Sequence, residues 1–430
     1  MTMANSSTAL LTDHYELTMV ASALEDRSAE RDCVFEVFAR RLPDGRRYGV
    51  VAGAARVLDA IADFQFSDAE LSQLAATNVV DDETLSWLAD YSFTGDIDGY
   101  PEGELYFPGS PILTVRASFA EAVVLETLVL SILNHDTAIA SAAARMASAA
   151  GNRPIIEMGG RRTHEYAAVA AARAAYLGGF ATTSNLEAGR RYGISTRGTV
   201  AHAFMLLHDT EKAAFRAQIA RLGTDTTLLV DTYDITAGIE TAVRVAGTEL
   251  GAIRIDSGDV GVLARQARQQ LDRLGAHDTR IVVSGDLDEH SIAALRAEPV
   301  DAYGVGTSLV TGSGAPTANM VYKLVEVDGK PVAKRSPHKE SRGGRKLAAR
   351  RFKPTGTAIE EVVYPAGGDE PELGEHAEVL PIPLARGGEV LPDLPTLEDS
   401  RQRLRRALVS LPWEGLKLSH GEPAIPTVFR

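Results

Sequence analysis

The 430-residue chain is predicted to be an α/β protein in which an irregular (β/α) barrel is joined to a second α/β domain built from the N- and C-terminal segments. Two observations predict this. From about residue 150 to residue 310, short apolar, β-branched runs ending in Gly, Ser, Thr or Asp alternate with Ala- and Arg-rich helical stretches, the pattern of parallel strands joined by crossover helices. On both sides the alternation stops, and the length is roughly two to three times that of a usual domain.

The N-terminal α/β part, 1–117, reads as helices over 7–24, 52–63, 67–76 and 82–90, a strand in CVFEVFARRL, and the turn-rich DGYPEGELYFPGSPILTVRA. The core, 118–320, opens with a helix at Ser118, where S-F-A-E places Glu121 to complete a capping box. That helix runs through LETLVLSIL, and an Ala-rich stretch follows to Gly151. Seven strand-like runs come next: 154–160, 175–185, 198–204 (GTVAHAF), 227–234, 252–259, 280–287 and 302–309. Their spacing suits one strand, one turn and one helix each. Between the fifth and sixth, VGVLARQARQQLDRLG carries helical periodicity, with Gly275 as its stop. An incomplete barrel and a doubly wound open sheet both fit this periodicity. No G-x-G-x-x-G follows the first strand, which lowers the dinucleotide-fold reading. The C-terminal part, 321–430, is expected to pack with the N-terminal domain. It offers strands around Asp328-Gly329, a hairpin turn, then Pro- and Gly-rich 365–397 and a helix near 397–411.

Composition narrows the function. Forty-four Lys and Arg against fifty-eight Asp and Glu give a net charge of −14, a poor match for nucleic acid or an anionic membrane surface. The single cysteine, Cys33, excludes an internal disulfide framework and multi-cysteine metal sites, and fits a reducing cytoplasm. The most apolar window, 119–133, is short and carries Glu121 and Glu126, so no membrane span is expected.

Parallel α/β architectures build their sites at the carboxyl ends of the strands. Those ends carry Arg161-Arg162, Thr183-Ser184-Asn185, His202, Asp231, Arg254 and the D-S-G-D run 256–259, Ser284-Gly285-Asp286 and Gly306-Thr307. Glycine admits an anion close to the backbone, so the last two turns read as a phosphate cradle; tight, capped βα turns are the alternative. Asp256, Asp259 and Asp286 suit a magnesium–polyphosphate or ribose contact, or solvated loops. The arginines suit an anionic ligand, or a neighbouring Asp. His202 in an apolar run reads as a core residue, or as half of a carboxylate–imidazole pair with Asp231. Tyr15 is either core or a stacking face. The run 334–353, nine Lys or Arg against one Glu, reads as a solvated loop or a screen for polyphosphate.

Together LLTDHYELTM, FEVFARRLPDGRRYGVVAG, GYPEGELYFPGSPILTV, LETLVLSILNH, EMGGRR, YLGGFATTSN, GTVAHAF, VDTYD, IRIDSGD, VSGDLDE and YGVGTSLVTGSGAPTANMVYKLVE resemble the nicotinate phosphoribosyltransferase family over about residues 8–355. The resemblance implies a type II phosphoribosyltransferase fold, working as a homodimer with shared sites. It implies a reaction of nicotinate with 5-phosphoribosyl-1-pyrophosphate, giving nicotinate mononucleotide and pyrophosphate, with ATP as co-substrate and Mg²⁺ as cofactor, in NAD salvage. On it, His202 is the transiently phosphorylated histidine and Asp231 its orienting partner. Arg161 and Arg254 are pyridine-site arginines, and Thr183 and Ser184 face the ring substituent. Asp256 is a ribose or metal contact, with Asp286 a further metal candidate. Ser284, Gly285, Gly306 and Thr307 match the 5′-phosphate site, and Tyr15 an aromatic offered by the neighbouring subunit. Two residues depart from the family pattern: Met158 where Phe is common, and Ala203 where Ser is common. A nicotinamide phosphoribosyltransferase is the closest rival; it would place an acid near Thr183 to accept from the amide. A non-catalytic phosphate-binding protein of the same fold is the other.

Overall fold

The computed structural model describes residues 7–335, 341–368 and 371–430, which form two compact units: Met1–Ser141 with Ala315–Arg430, and Ala142–Gly314. The sequence reading placed the boundaries at 117/118 and 320/321. The first division falls instead within the 25-residue helix Glu126–Ala150, because Leu128, Val129 and Leu133 belong to the hydrophobic core of the first unit. The helical stretch 119–150 is long and apolar enough to cross a membrane by length and composition, longer than the 119–133 window suggests. Ala140, Ala142, Ala143, Ala144 and Met146 along it are fully buried, as in a core helix.

In the first unit, strand Asp32–Ala39 pairs antiparallel with Met320–Val327 on one side and Leu113–Ser118 on the other. One strand therefore joins both ends of the chain in a single seven-stranded sheet. Asp328 and Gly329 turn the hairpin beyond it, both with positive φ (47° and 70°), as a type I′ turn requires. Ser118 and Glu121 form the expected capping box.

A second sheet carries Lys346–Phe352 beside Ala358–Pro365. Within it Arg350 is buried between Glu104 and Glu361, at 2.5 and 3.0 Å. The Tyr100 and Ser110 hydroxyls also donate to Glu361, and Lys346 pairs with the buried Glu36. The end of the basic run, Lys346–Phe352, is thus a strand whose Lys346 and Arg350 neutralise buried acids, while 334–335 and 341–345 are irregular backbone; residues 336–340 lie outside the described residues.

The second unit carries six parallel strands: β1 (Ile155–Glu157), β2 (Thr182–Thr183), β3 (Thr227–Leu229), β4 (Ala252–Ile255), β5 (Arg280–Val283) and β6 (Ala302–Val305). Their order in the sheet is β2-β1-β6-β5-β4-β3. The first strand pairs with the last, so the order follows the chain around a ring with one break, between β2 and β3. This is the irregular barrel, and it excludes the doubly wound alternative. The third expected strand, GTVAHAF, is not one: residues 198–201 are irregular and His202–Leu206 form a short helix, α3. With no neighbouring strand across the break, its apolar alternation finds no ladder. The backbone just before it bridges instead, Thr183 N–H donating to Ser195 O and Arg197 N–H to Thr183 O.

Helices α1 (Glu165–Leu177) and α2 (Leu186–Tyr192) precede α3. They are followed by α4 (Glu211–Leu222), α5 (Ile235–Ala246), α6 (Val260–Arg273), α7 (Glu289–Ala294) and α8 (Thr307–Val310). Asp259 is the N-cap of α6, accepting from Val262 N–H at 3.2 Å, and Asn185 caps α2.

Removing one partner of a buried ion cluster leaves uncompensated charge. Arg350→Met is expected to lower the unfolding free energy by about 3–5 kcal/mol, measured by urea denaturation; a loss below about 1 kcal/mol would show that the cluster adds little.

Candidate active site

Side chains alternate across a strand, and the inward set of the ring, Ile156, Met158, Thr182, Thr227, Arg254 and Val282 among them, lines a lumen. At the carboxyl ends of the strands lies a cavity of about 600 Å³ walled by Met158, Arg161, Ser184, Asn185, Arg197, His202, Arg254 and Asp256. Below it a second cavity of about 580 Å³ shares Met158, Arg197, Gly198, Thr199 and Arg254. Met158 lies over Gly304, where a Cβ would come within 2.7 Å of its sulfur, so a strand glycine makes room for the thioether in the wall.

His202, at the first position of α3, stands across the break from Asp231, which follows β3. Its Nε2 is 3.1 Å from Asp231 Oδ1; the carboxylate is 1% exposed and the imidazole 41%. Asp231 Oδ2 accepts from the Asp256 amide at 2.8 Å and from the Ser257 hydroxyl at 2.9 Å. A carboxylate only accepts, so in the neutral ring the proton sits on Nε2 and the lone pair on Nδ1. That is the arrangement of an oriented nucleophile.

Arg254 donates to Ser284 Oγ at 2.7 Å and to Asp256 Oδ1 at 2.7 Å, and Ser284 donates to the same Asp256 oxygen at 2.5 Å. Burial works to raise the Asp256 pKa; the Ser284 hydrogen bond and the Arg254 guanidinium outweigh it and hold the carboxyl below its ordinary value. Arg161 and Arg197 make no ion pair among the described residues and stand exposed at the cavity wall.

The structure therefore brings together His202, Asp231, Asp256, Arg254, Arg161 and Ser184. Thr183 sits behind the wall, its hydroxyl donating to the buried Glu157 at 2.5 Å and accepting from Asn185 N–H at 3.0 Å. Burial pushes the Glu157 carboxyl up, against the Thr183 and Gly159 hydrogen bonds. Gly285, Asp286, Gly306 and Thr307 lie on the turns after β5 and β6, outside the wall of the first cavity. The Gly285 turn abuts Asp256, and Gly306 caps α8. Tyr15 is in the other unit, on His14–Glu25, with an exposed ring. Partial desolvation of its hydroxyl, with the Glu126 carboxylate nearby, pushes its pKa up. Among the described residues no three His, Cys, Asp or Glu converge on a metal position. The residues missed from sequence are Glu157 and Arg197. An acid at the end of β1, on the side away from the lumen, was the one available signal.

Residues 10–134 match the model of the nicotinate phosphoribosyltransferase N-terminal domain, and 139–314 that of the quinolinate phosphoribosyl transferase C-terminal domain. A nicotinate phosphoribosyltransferase of Mycobacterium tuberculosis, pncB1, is 67% identical over 97% of this chain and 94% of its own length. The chain belongs to the nicotinate phosphoribosyltransferase family. The Bacillus subtilis nicotinate phosphoribosyltransferase is 40% identical over 80% of this chain and 74% of its own length. Human nicotinic acid phosphoribosyltransferase superposes with a TM-score of 0.83 at 25% identity, covering 97% of each chain. In this family frame the His202–Asp231 pair and the cationic wall face one cavity, in a unit that folds like other phosphoribosyltransferases.

The tautomer is directly testable. In ¹⁵N-resolved NMR of the neutral imidazole, His202 is expected to carry its proton on Nε2. Asp231→Asn is expected to release that preference, and a wild-type Nδ1–H tautomer would contradict the orientation.

Proposed function

We propose that this member of the nicotinate phosphoribosyltransferase family joins nicotinate to 5-phosphoribosyl-1-pyrophosphate in the first cavity of the barrel, coupled to ATP through phosphorylation of His202. The observation that carries the reading is His202, oriented by the buried Asp231, in the same cavity wall as Arg161 and Arg197, which make no ion pair among the described residues. The acid among the wall residues is Asp256, and Arg254 neutralises it, so a pyridine carboxylate meets positive charge while an amide finds no unpaired carboxylate there to accept from it. Met158 offers a thioether to one ring face. The pyridine nitrogen attacks C1′ through its own lone pair; the C1′–O bond to pyrophosphate breaks and the electron pair leaves with pyrophosphate. No general base is needed, and charge builds positive on the ribose and negative on the leaving group.

His202 Nδ1 attacks the γ-phosphorus of ATP, and ADP departs with the bond electrons. The turns after β5 and β6, with Gly285, Gly306 and Thr307, suit the 5′-phosphate; Ser284 supports Arg254 and Asp256 from the same turn. Mg²⁺ prefers one or two carboxylates plus substrate oxygens, and Asp256 Oδ2 with the exposed Asp286 fits that donor set; bound there, the ion would neutralise pyrophosphate charge. Tyr15 stands ready to meet the ring from a second copy in a homodimer. We place the reaction in the cytoplasm, in keeping with a buried, unpaired Cys33.

The deciding experiment is a steady-state assay with phosphoribosyl pyrophosphate and Mg²⁺, comparing nicotinate with nicotinamide, each with and without ATP. Nicotinate mononucleotide is the expected product, and ATP is expected to raise its rate. His202→Ala is expected to lose ATP hydrolysis and ATP stimulation while keeping the fold. A preference for nicotinamide would overturn the account of the wall, and wild-type ATP stimulation in His202→Ala would overturn the coupling.

A further inference from the structure

Directly behind the wall of the first cavity sits a buried carboxylate that the substrate-binding scheme leaves without a task. Glu157, the last residue of β1, is 1% exposed; its donors are Thr183 and Gly159, and it makes no ion pair among the described residues. Its two oxygens each take one neutral donor: Oε2 the Thr183 hydroxyl, Oε1 the Gly159 amide. Its own carbonyl accepts from the Ser184 amide at 2.8 Å. One residue thereby ties two wall segments, the 158–162 turn with Met158 and Arg161, and the 183–185 segment with Ser184 and Asn185. Gly159 also packs against the segment that follows β6, where a Cβ on it would meet the Val310 side chain of α8 at 2.2 Å and Gly306 O at 3.2 Å.

Packing does not require an acid here, and burying a carboxyl without a cation is costly. Its chemistry is what the contacts need. Gly159 N–H is a fixed donor, and the Thr183 hydroxyl already accepts from Asn185 N–H, so its proton needs an acceptor. A side chain with two acceptors satisfies both, whereas glutamine sets a donor against one of them.

We propose that Glu157 is a positioning residue for nicotinate, its carboxylate clamping Gly159 and Thr183 so that Arg161, Ser184 and Asn185 stand at the separation the pyridine carboxylate requires. This rests on the assignment of nicotinate to the first cavity.

The test is a kinetic double-mutant cycle with Glu157→Gln, Thr183→Val and the double variant, with Arg254→Gln as a reference. Glu157→Gln is expected to raise the KM for nicotinate about tenfold and to leave that for phosphoribosyl pyrophosphate within about twofold, because the β5 and β6 turns keep their own supports. The double variant is expected to shift the nicotinate KM no further than Glu157→Gln alone, since both substitutions remove one contact. Glu157→Asp, which keeps two acceptors, is expected to recover part of the loss. If Glu157→Gln does not fold, Thr183→Val carries the same expectation. An unchanged nicotinate KM in Glu157→Gln beside a raised one in Arg254→Gln would overturn the proposal alone. So would both substrates' KM values rising together with a lowered thermal midpoint, the mark of fold support only. An unchanged nicotinate KM in Arg254→Gln as well would overturn the cavity assignment, and Glu157 with it.

Discussion

The site depends on a sheet that curls into a ring but does not close. Between β2 and β3 no ladder forms, and the chain that would have been a strand runs past the gap as irregular backbone ending in α3. A closed barrel fills its interior with side chains. This one keeps a lumen, lined by a mixed set of side chains that includes Ile156, Met158, Thr182, Thr227 and Val282. The gap also delivers His202 to the rim on the β2 side, where Asp231 waits on the β3 side. Across the missing ladder the structure substitutes one imidazole–carboxylate bond of 3.1 Å. The residue that performs chemistry in the proposed reaction is thus also the one that spans the break.

Charge is distributed against the average of the molecule. A net charge of −14 would discourage a polyphosphate anion, yet the first cavity is walled by three arginines, Arg161, Arg197 and Arg254, with Asp256 the acid beside them. Two basic side chains elsewhere are committed to buried acids: Arg350 to Glu104 and Glu361, Lys346 to Glu36. Local field at a cleft, rather than net charge, sets what it attracts, so the cations left unpaired at Arg161 and Arg197 decide the sign there. Arg254 differs from them. Its bonds to Asp256 and Ser284 fix its plane in advance, which lowers the ordering cost of meeting a ligand.

Local rules carried much of the fold. The capping box at Ser118, the Asp328-Gly329 turn and the Gly275 stop each follow from a few neighbouring residues, and each stands in the structure. The positions of Asp231, Asp256, Arg161 and Arg254 after their strands were legible for the same reason, since parallel sheets gather their C-terminal ends, whereas Glu157 at the end of β1 was passed over. Three things were not legible, and each depends on a distant partner. GTVAHAF has the composition of a strand but no strand to pair with. Thr183 reads as cavity-facing until Glu157, a residue of a different strand, accepts its hydrogen bond. The division between the units lies inside a continuous helix, where no turn residue marks it.

One hydrogen-bonded path gives the proposed coupling its physical content. His202 Nε2 meets Asp231 Oδ1, and Asp231 Oδ2 holds the Asp256 amide and the Ser257 hydroxyl. Asp256 in turn holds Arg254 and Ser284. A phosphoryl group on Nδ1 would place its charge on the ring nitrogen opposite Nε2, keep the proton on Nε2 and strengthen the bond to Asp231. That bond bears on the backbone of Asp256, whose side chain holds both Arg254 of the proposed pyridine wall and Ser284 of the turn abutting it. Phosphorylation at one nitrogen can therefore bias the geometry of both substrate contacts through four residues, without moving a strand. A ligand or modification shifts an equilibrium only through contacts that differ between its states, and the Asp231–Asp256 link is the place in this site where such a difference would be made.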